Sequence, residues 1–175
     1  MPTIGQLIVE TSTRMRKYSE RLLVGVQPHH FARKPTWGMG GAEINTNHAA
    51  WCFGHLALYF PRVLKVCGVE EGPANPPPTF EPMFKDGSAC VDDAASSVYP
   101  HMESVMAAYF RGYDAALSAL GKVKDEQLLK APADEKAKAN WSSNAAIAMF
   151  MMNNHVTLHL GQVSAWRRTM GMPPA

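Results

Sequence analysis

The chain has 175 residues, 46% of them hydrophobic and 18% charged, with 17 Lys plus Arg against 15 Asp plus Glu for a formal net charge of +2. That length suits a single domain over residues 1–175 with a buried core, and the apolar share excludes disorder as the main state. A net charge so small and scattered gives no basic stripe for DNA or RNA, so no nucleic-acid partner is expected.

The longest apolar run, Ala145 to Met152, is far below the ~20 residues that span a bilayer, so no membrane partner is expected. Glu10, Arg14, Arg16 and Lys17 interrupt the N-terminus, which does not read as a signal peptide. Cys52, Cys67 and Cys90 are odd in number and form no CxxC pair, which fits a reducing cytoplasm and leaves any bound metal to histidine.

Apolar residues at Ile4, Leu7, Ile8, Met15, Tyr18, Leu22 and Val26 follow a three-and-four spacing and predict a first amphipathic helix. Gln27 to Asn45, with Pro28, Pro35 and Trp37-Gly-Met-Gly-Gly41, reads as a loop. Asn45-Thr46-Asn47 offers caps for a second helix, from about His48 to Val66, kinked by Pro61 in its second half and closed by Gly68. Gly68 to Val98, rich in Pro, Asp, Ser and Gly, reads as a long crossover. A third helix has Pro100 in its first turn and carries Met102, Val105, Tyr109, Tyr113, Ala116, Leu117 and Leu120 up to Gly121. A short charged piece, Lys122 to Ala131, adds a turn or two. Ser142 and Ser143 cap a last helix that runs to about Met170 and stops at Gly171; its only permanent charges are Arg167 and Arg168, so most of its circumference is expected to be buried. Four long helices, two long connections and no strand pattern predict an all-α four-helix bundle.

The chemistry rests on histidines. His155 and His159 are four apart on the last helix, one turn from each other on one face, so both imidazoles reach one ion. Val156 stands where the HExxH zinc proteases carry their general base, which disfavours protease chemistry. Catalytic zinc takes three protein ligands and keeps a fourth position open, and His55, on a stripe with Trp51, Leu58 and Tyr59, is the candidate third. A single histidine on an apolar helix face is more often a hydrogen-bonded core residue than a ligand; with His55 added, metal binding stands level with that reading.

His48 shares the face of His55 but lies roughly 10 Å along the helix from it, and is a capping or pocket residue before it is a ligand. Gln162, a turn after His159, either orients a ligand or bonds to backbone. His29, His30 and His101 are expected to be solvated, and Met149, Met151 and Met152 to fill core.

Trp51-x-x-Gly-His55-Leu, together with His155-x-x-x-His159-Leu-Gly-Gln162 and the following Trp166-Arg167-Arg168, resembles the DinB/YfiT-like superfamily. The resemblance implies a four-helix bundle of up-down-down-up topology, a divalent metal (zinc or nickel, with iron or manganese as alternatives) on His55, His155 and His159, and a homodimer. It also implies activities of the kind that family includes, transferases and isomerases using a low-molecular-weight thiol cosubstrate such as bacillithiol, mycothiol or glutathione. The functional expectation is a metal-dependent enzyme activating a thiol or water nucleophile, a thiol-dependent transferase or isomerase or a hydrolase. No Asp or Glu lies on these faces as a general base. The alternative is a non-catalytic, stress-related binding or scaffold bundle whose metal is structural or incidental.

Overall fold

A computed structural model describes residues 1–38 and 40–175, with the side chain of Pro73 outside the description. Met39, within the predicted glycine-rich loop, therefore lies outside the described residues. The architecture is all-α, and no strand occurs among the described residues.

Helix α1 spans Ile4–Leu23 and starts with a capping box: the Thr3 hydroxyl accepts from the Gln6 N–H and the Gln6 side chain accepts from the Thr3 N–H. It ends a turn short of the predicted Val26, because Gly25 takes a left-handed φ of 79° and turns the chain away, though Val26 still packs in the core. The predicted loop 27–45 holds a single-turn helix, α2 at Pro28–Phe31, in which Pro28 starts the turn and Phe31 is buried.

The second predicted helix is two. α3 covers Ala49–Ala57 and α4 covers Phe60–Val66; the break at Leu58 and Tyr59 falls just inside the second half, ahead of Pro61, and is a full interruption rather than a kink. Proline lacks an N–H to continue the ladder of α3, so it settles in the first turn of α4, where no such donor is needed. The cap of α3 is His48, whose Nδ1 accepts from the Trp51 N–H, and not Asn45-Thr46-Asn47.

The crossover contains a 3₁₀ turn at Gly72–Ala74 and a short helix, α5 at Phe80–Phe84, where only irregular chain was expected. Its end is tied down by Asp93, whose buried carboxylate accepts from the N–H groups of Ser97, Val98 and Tyr99 at 2.8 to 3.0 Å. Helix α6 runs Met102–Lys122, so Pro100 stands two residues before it and Gly121 does not stop it. The charged piece forms α7, Asp125–Leu128, and one further turn follows as α8, Glu135–Lys138.

The last helix begins at Ser143, which alone caps it, as α9, Asn144–Met149; it passes through a π-helical turn, Phe150–His155, and continues as α10, Val156–Thr169. Most of its circumference is buried or half-buried, as expected, with one exposed stripe. Asn154, Thr157, Leu158, Gly161, Ala165 and Arg168 form an exposed stripe, because small and weakly polar residues lower the charge of a helix face without burying it. Met151 and Met152 fill core as predicted, while Met149 is exposed.

The core lies where α1, α3, α4, α6 and the last helix meet, around Phe53, Phe60, Tyr109, Tyr113 and Trp166. Gly5 lets α1 touch α6: a Cβ there would lie 2.1 Å from the Leu120 carbonyl oxygen. Buried hydroxyls are paired, Ser19 with Tyr109 at 2.7 Å and Tyr113 donating to the Ser12 carbonyl at 2.9 Å. Arg167, buried, donates to the carbonyls of Leu22, Val24 and Pro173, closing the C-terminal end of α1, and the Trp166 indole donates to the Arg33 carbonyl.

Burial pushes the Asp93 carboxyl upward, but its backbone N–H bonds from Tyr99, Ser97 and Val98 outweigh this and hold it below the usual carboxylate range. The stability it contributes is thus present above pH 4 and lost as pH falls through the lowered value. Asp93→Ala, which orphans three donors, is expected to cost about 3 kcal/mol by urea denaturation at pH 7, and the difference from the parent should shrink below pH 3.

Candidate metal centre

Helix α3 and the last helix face each other and bring His55, His155 and His159 together. The Nε2 atoms of His55 and His159 each lie 3.1 Å from Nε2 of His155, and all three lie within 4.8 Å of one another. Each residue is less than 8% exposed.

The remote nitrogens decide which protons are present. His55 Nδ1 stands 2.7 Å from the Phe84 carbonyl, which only accepts, so Nδ1 carries the hydrogen and Nε2 presents a lone pair inward. His159 Nδ1 donates to Gln162 Oε1 at 2.9 Å, and that oxygen also faces the Asn47 amide and the Cys52 thiol, two further donors that fix its orientation. Its Nε2 is therefore bare as well. His155 can offer one N–H at most to two bare nitrogens, and its Nδ1 is buried with no hydrogen-bond partner among the described residues. At least one buried lone pair thus stays unanswered by hydrogen.

A divalent cation answers all three. Nitrogens bound to one zinc at about 2.0 Å in a tetrahedral arrangement lie about 3.3 Å apart, close to the two 3.1 Å spacings from His155, while the pair His55 and His159 is within 4.8 Å and closes inward on an ion; neutral imidazole is the ligand form such ions take. The donor set fits a metal.

Aromatic packing holds the rings. Trp51 stacks on His55 with centroids 4.6 Å apart, and its indole is anchored to Ser88; Phe150 lies nearly parallel to His155 at 5.8 Å. Gly54 makes the Phe84 contact possible, since a Cβ there would lie 2.6 Å from the Phe84 ring. Tyr59 packs edge-on against His155 at 4.6 Å and near His55 at 4.8 Å, with the Arg62 guanidinium over its outer face at 4.5 Å. Tyr59 was expected on the stripe of His55, though with no role at the centre; Arg62 and the Phe84 carbonyl were not expected there, and while Arg62 lies two turns beyond His55, a spacing that could have flagged it, nothing local marks Phe84.

The other candidates are placed elsewhere. His48 uses both ring nitrogens, Nδ1 on the Trp51 N–H and Nε2 toward the Val91 carbonyl at 3.0 Å, and bonds none of the three rings. Gln162 touches His159 directly, the orienting alternative of its two readings. His29 and His101 are exposed; His30 is not fully solvated, because it is half-buried beside His29 with an unpartnered Nδ1. No carboxylate hydrogen-bonds any of the three rings among the described residues.

The sequence profile of the DinB superfamily matches residues 12–163. The chain belongs to the DinB superfamily. The DinB match includes all three histidines and Gln162, while Trp166-Arg167-Arg168 lies beyond it. No match was found among curated proteins or among solved structures. No helix among the described residues of this DinB protein is long and apolar enough to cross a membrane.

Burial pushes the histidines down: His155 to about 3, with help from the neighbouring His159 and His55, His159 to about 4, and His55 in the same direction. Their folded-state values lie below the ordinary 6.5, so the unfolded chain binds more protons. The stability from keeping them neutral is complete above pH 6.5 and is lost as pH falls toward 4. Chelator-treated protein is expected to unfold at progressively lower urea from pH 7 to pH 5, with a shallower decline in His155→Leu.

Proposed function

We propose that this DinB protein is a metal-dependent enzyme in which His55, His155 and His159 hold one divalent ion, zinc or nickel before iron or manganese, and that it activates a thiol or water as nucleophile. The observation that carries this reading is the convergence of three buried Nε2 atoms of neutral imidazoles with at most one hydrogen to share among them.

A divalent ion held by three neutral nitrogens keeps its full charge and lowers the pKa of a water or thiol that meets it. The chain's own residues set the stage for that chemistry. The Phe84 carbonyl and Gln162 fix the tautomers of His55 and His159, and Trp51 and Phe150 keep both faces of the cluster dry. Tyr59 has its ring against two of the histidines and its hydroxyl free of protein partners among the described residues, so it is the one protic side chain placed to meet a substrate there. With no carboxylate on the rings, proton transfer falls to the nucleophile itself or to Tyr59, whose own pKa burial raises, keeping it a donor.

Protein purified without chelator is expected to carry about one metal per chain by elemental analysis and His159→Ala to carry almost none. Gln162→Leu should keep the site but weaken it about 10- to 100-fold in competition with a chromophoric chelator. No metal in the parent after added zinc or nickel would make the histidines core residues and leave the non-catalytic bundle as the reading.

The same proposal includes a homodimer, supported by the exposed stripe of the last helix, where Leu158 is 60% exposed beside Thr157, Gly161 and Ala165. Sedimentation is expected to show a dimer that Leu158→Asp converts to monomer; a monomeric parent would refute it.

A further inference from the structure

One further concavity, about 590 Å³, opens between α4, α7, α8 and the start of α9. Arg62, Lys65, Lys130 and Lys136 line it, and the floor is apolar, from Val66, Trp141, Ile147 and Met151. Its volume is that of a small-molecule site.

The charge is uncompensated. No carboxylate lies within 4 Å of any of these four cations among the described residues. The lining's one carboxylate, Asp134, is engaged at the start of α8, accepting from the Ala137 N–H at 2.9 Å. Lys130 meets only the neutral Gln127 oxygen, and Arg62 lies over the Tyr59 ring. Four cations against one acid put +3 on this lining in a chain whose whole charge is +2. Like charges gathered over an apolar floor repel one another and focus a positive field into the hollow, an arrangement that an anion relieves.

One aromatic ring on each side, Tyr59 and Phe150, separates the hollow from His155. Arg62 lies 4.5 Å from the Tyr59 ring, which is 4.6 Å from His155. On its other side Trp141 packs on Phe150 at 5.0 Å, and Phe150 on His155 at 5.8 Å.

We propose that this cavity binds a small organic anion bearing at least two negative charges on an apolar or aromatic body, and that such anions are the substrate class of the neighbouring histidine centre. The second half rests on the function proposed above; the first half does not.

The test is calorimetric titration at fixed ionic strength with isophthalate, its neutral isostere isophthalamide, and inorganic phosphate. Isophthalate is expected to bind with a dissociation constant of about 100 μM, and isophthalamide and phosphate about tenfold more weakly or worse. Lys65→Ala/Lys130→Ala/Lys136→Ala, all at exposed positions, should weaken isophthalate about tenfold, whereas Lys17→Ala/Lys85→Ala/Lys122→Ala, of equal charge change, should leave it within about twofold. Equal losses in both triples, equal binding of isophthalamide or of phosphate, or no binding of isophthalate would overturn the cavity.

Two further arms separate the halves. His159→Ala should still bind isophthalate, since the cavity needs no metal. In cobalt-loaded parent protein, isophthalate is expected to shift the visible absorption band; an unchanged band with isophthalate bound would overturn the link to the centre. Failure to take up cobalt at all would overturn the metal reading and leave the calorimetric result standing.

Discussion

Three ring nitrogens gathered inside a protein with at most one hydrogen among them repel one another, and the fold around His55, His155 and His159 is organised to hold them there. Burial keeps the imidazoles neutral, and fixed acceptors behind two of them turn their bare nitrogens inward. Each acceptor depends on a separate piece of the chain. The Phe84 carbonyl comes from the crossover, seated on α3 only because Gly54 has no side chain, while Gln162 comes from the next turn of the helix that carries His159. The long crossover, which has the composition of a loose connection, is thereby part of the centre.

The π-helical turn belongs to the same logic. A π turn carries an extra residue and loosens the backbone ladder, and it sits at Phe150–His155, directly before the α-helical turn that separates His155 from His159. Tyr113, on α6, donates to the Met152 carbonyl within that turn as well as to the Ser12 carbonyl of α1, so one buried hydroxyl ties the irregular turn to two other helices. The widened turn also presents Phe150 to His155 as a nearly parallel ring. Helix geometry alone sets the spacing of the two histidines; the irregular turn and its aromatic neighbour set where the pair stands against His55.

The parts of this architecture legible in the sequence are those encoded by periodicity and by local caps. The apolar repeats of α1 and α6, the Ser143 cap and the His155/His159 pair are read from residues a turn apart, and the family resemblance agrees with the profile match. Boundaries escape where one residue's backbone preference competes with continuing periodicity: Val26 keeps the repeat of α1 after Gly25 has turned the chain, and Pro61 acts on the residues before it. The π turn leaves no trace in the pattern, because Met151 and Met152 are apolar in either register. Contacts made by backbone, such as the Phe84 carbonyl on His55, have no residue type to announce them. Low charge in the last helix marks a mostly buried circumference, but does not say which face stays open; that face is the one carrying Thr157, Gly161 and Ala165, small residues that are not core-forming.

The centre itself is chemically plain, since three neutral nitrogens carry no charge and no carboxylate stands behind them. Whatever distinguishes one substrate from another must therefore come from the residues around it. On the side of Tyr59 and Arg62 those residues change character abruptly, from stacked aromatic rings to a cluster of unpaired cations over an apolar floor. Arg62 lies on the boundary: its guanidinium covers a ring that packs against two of the histidines. Burial, not the Arg62 charge, is what keeps the imidazoles neutral, so what Arg62 links is position: one guanidinium faces the hollow and covers the ring that meets the histidines.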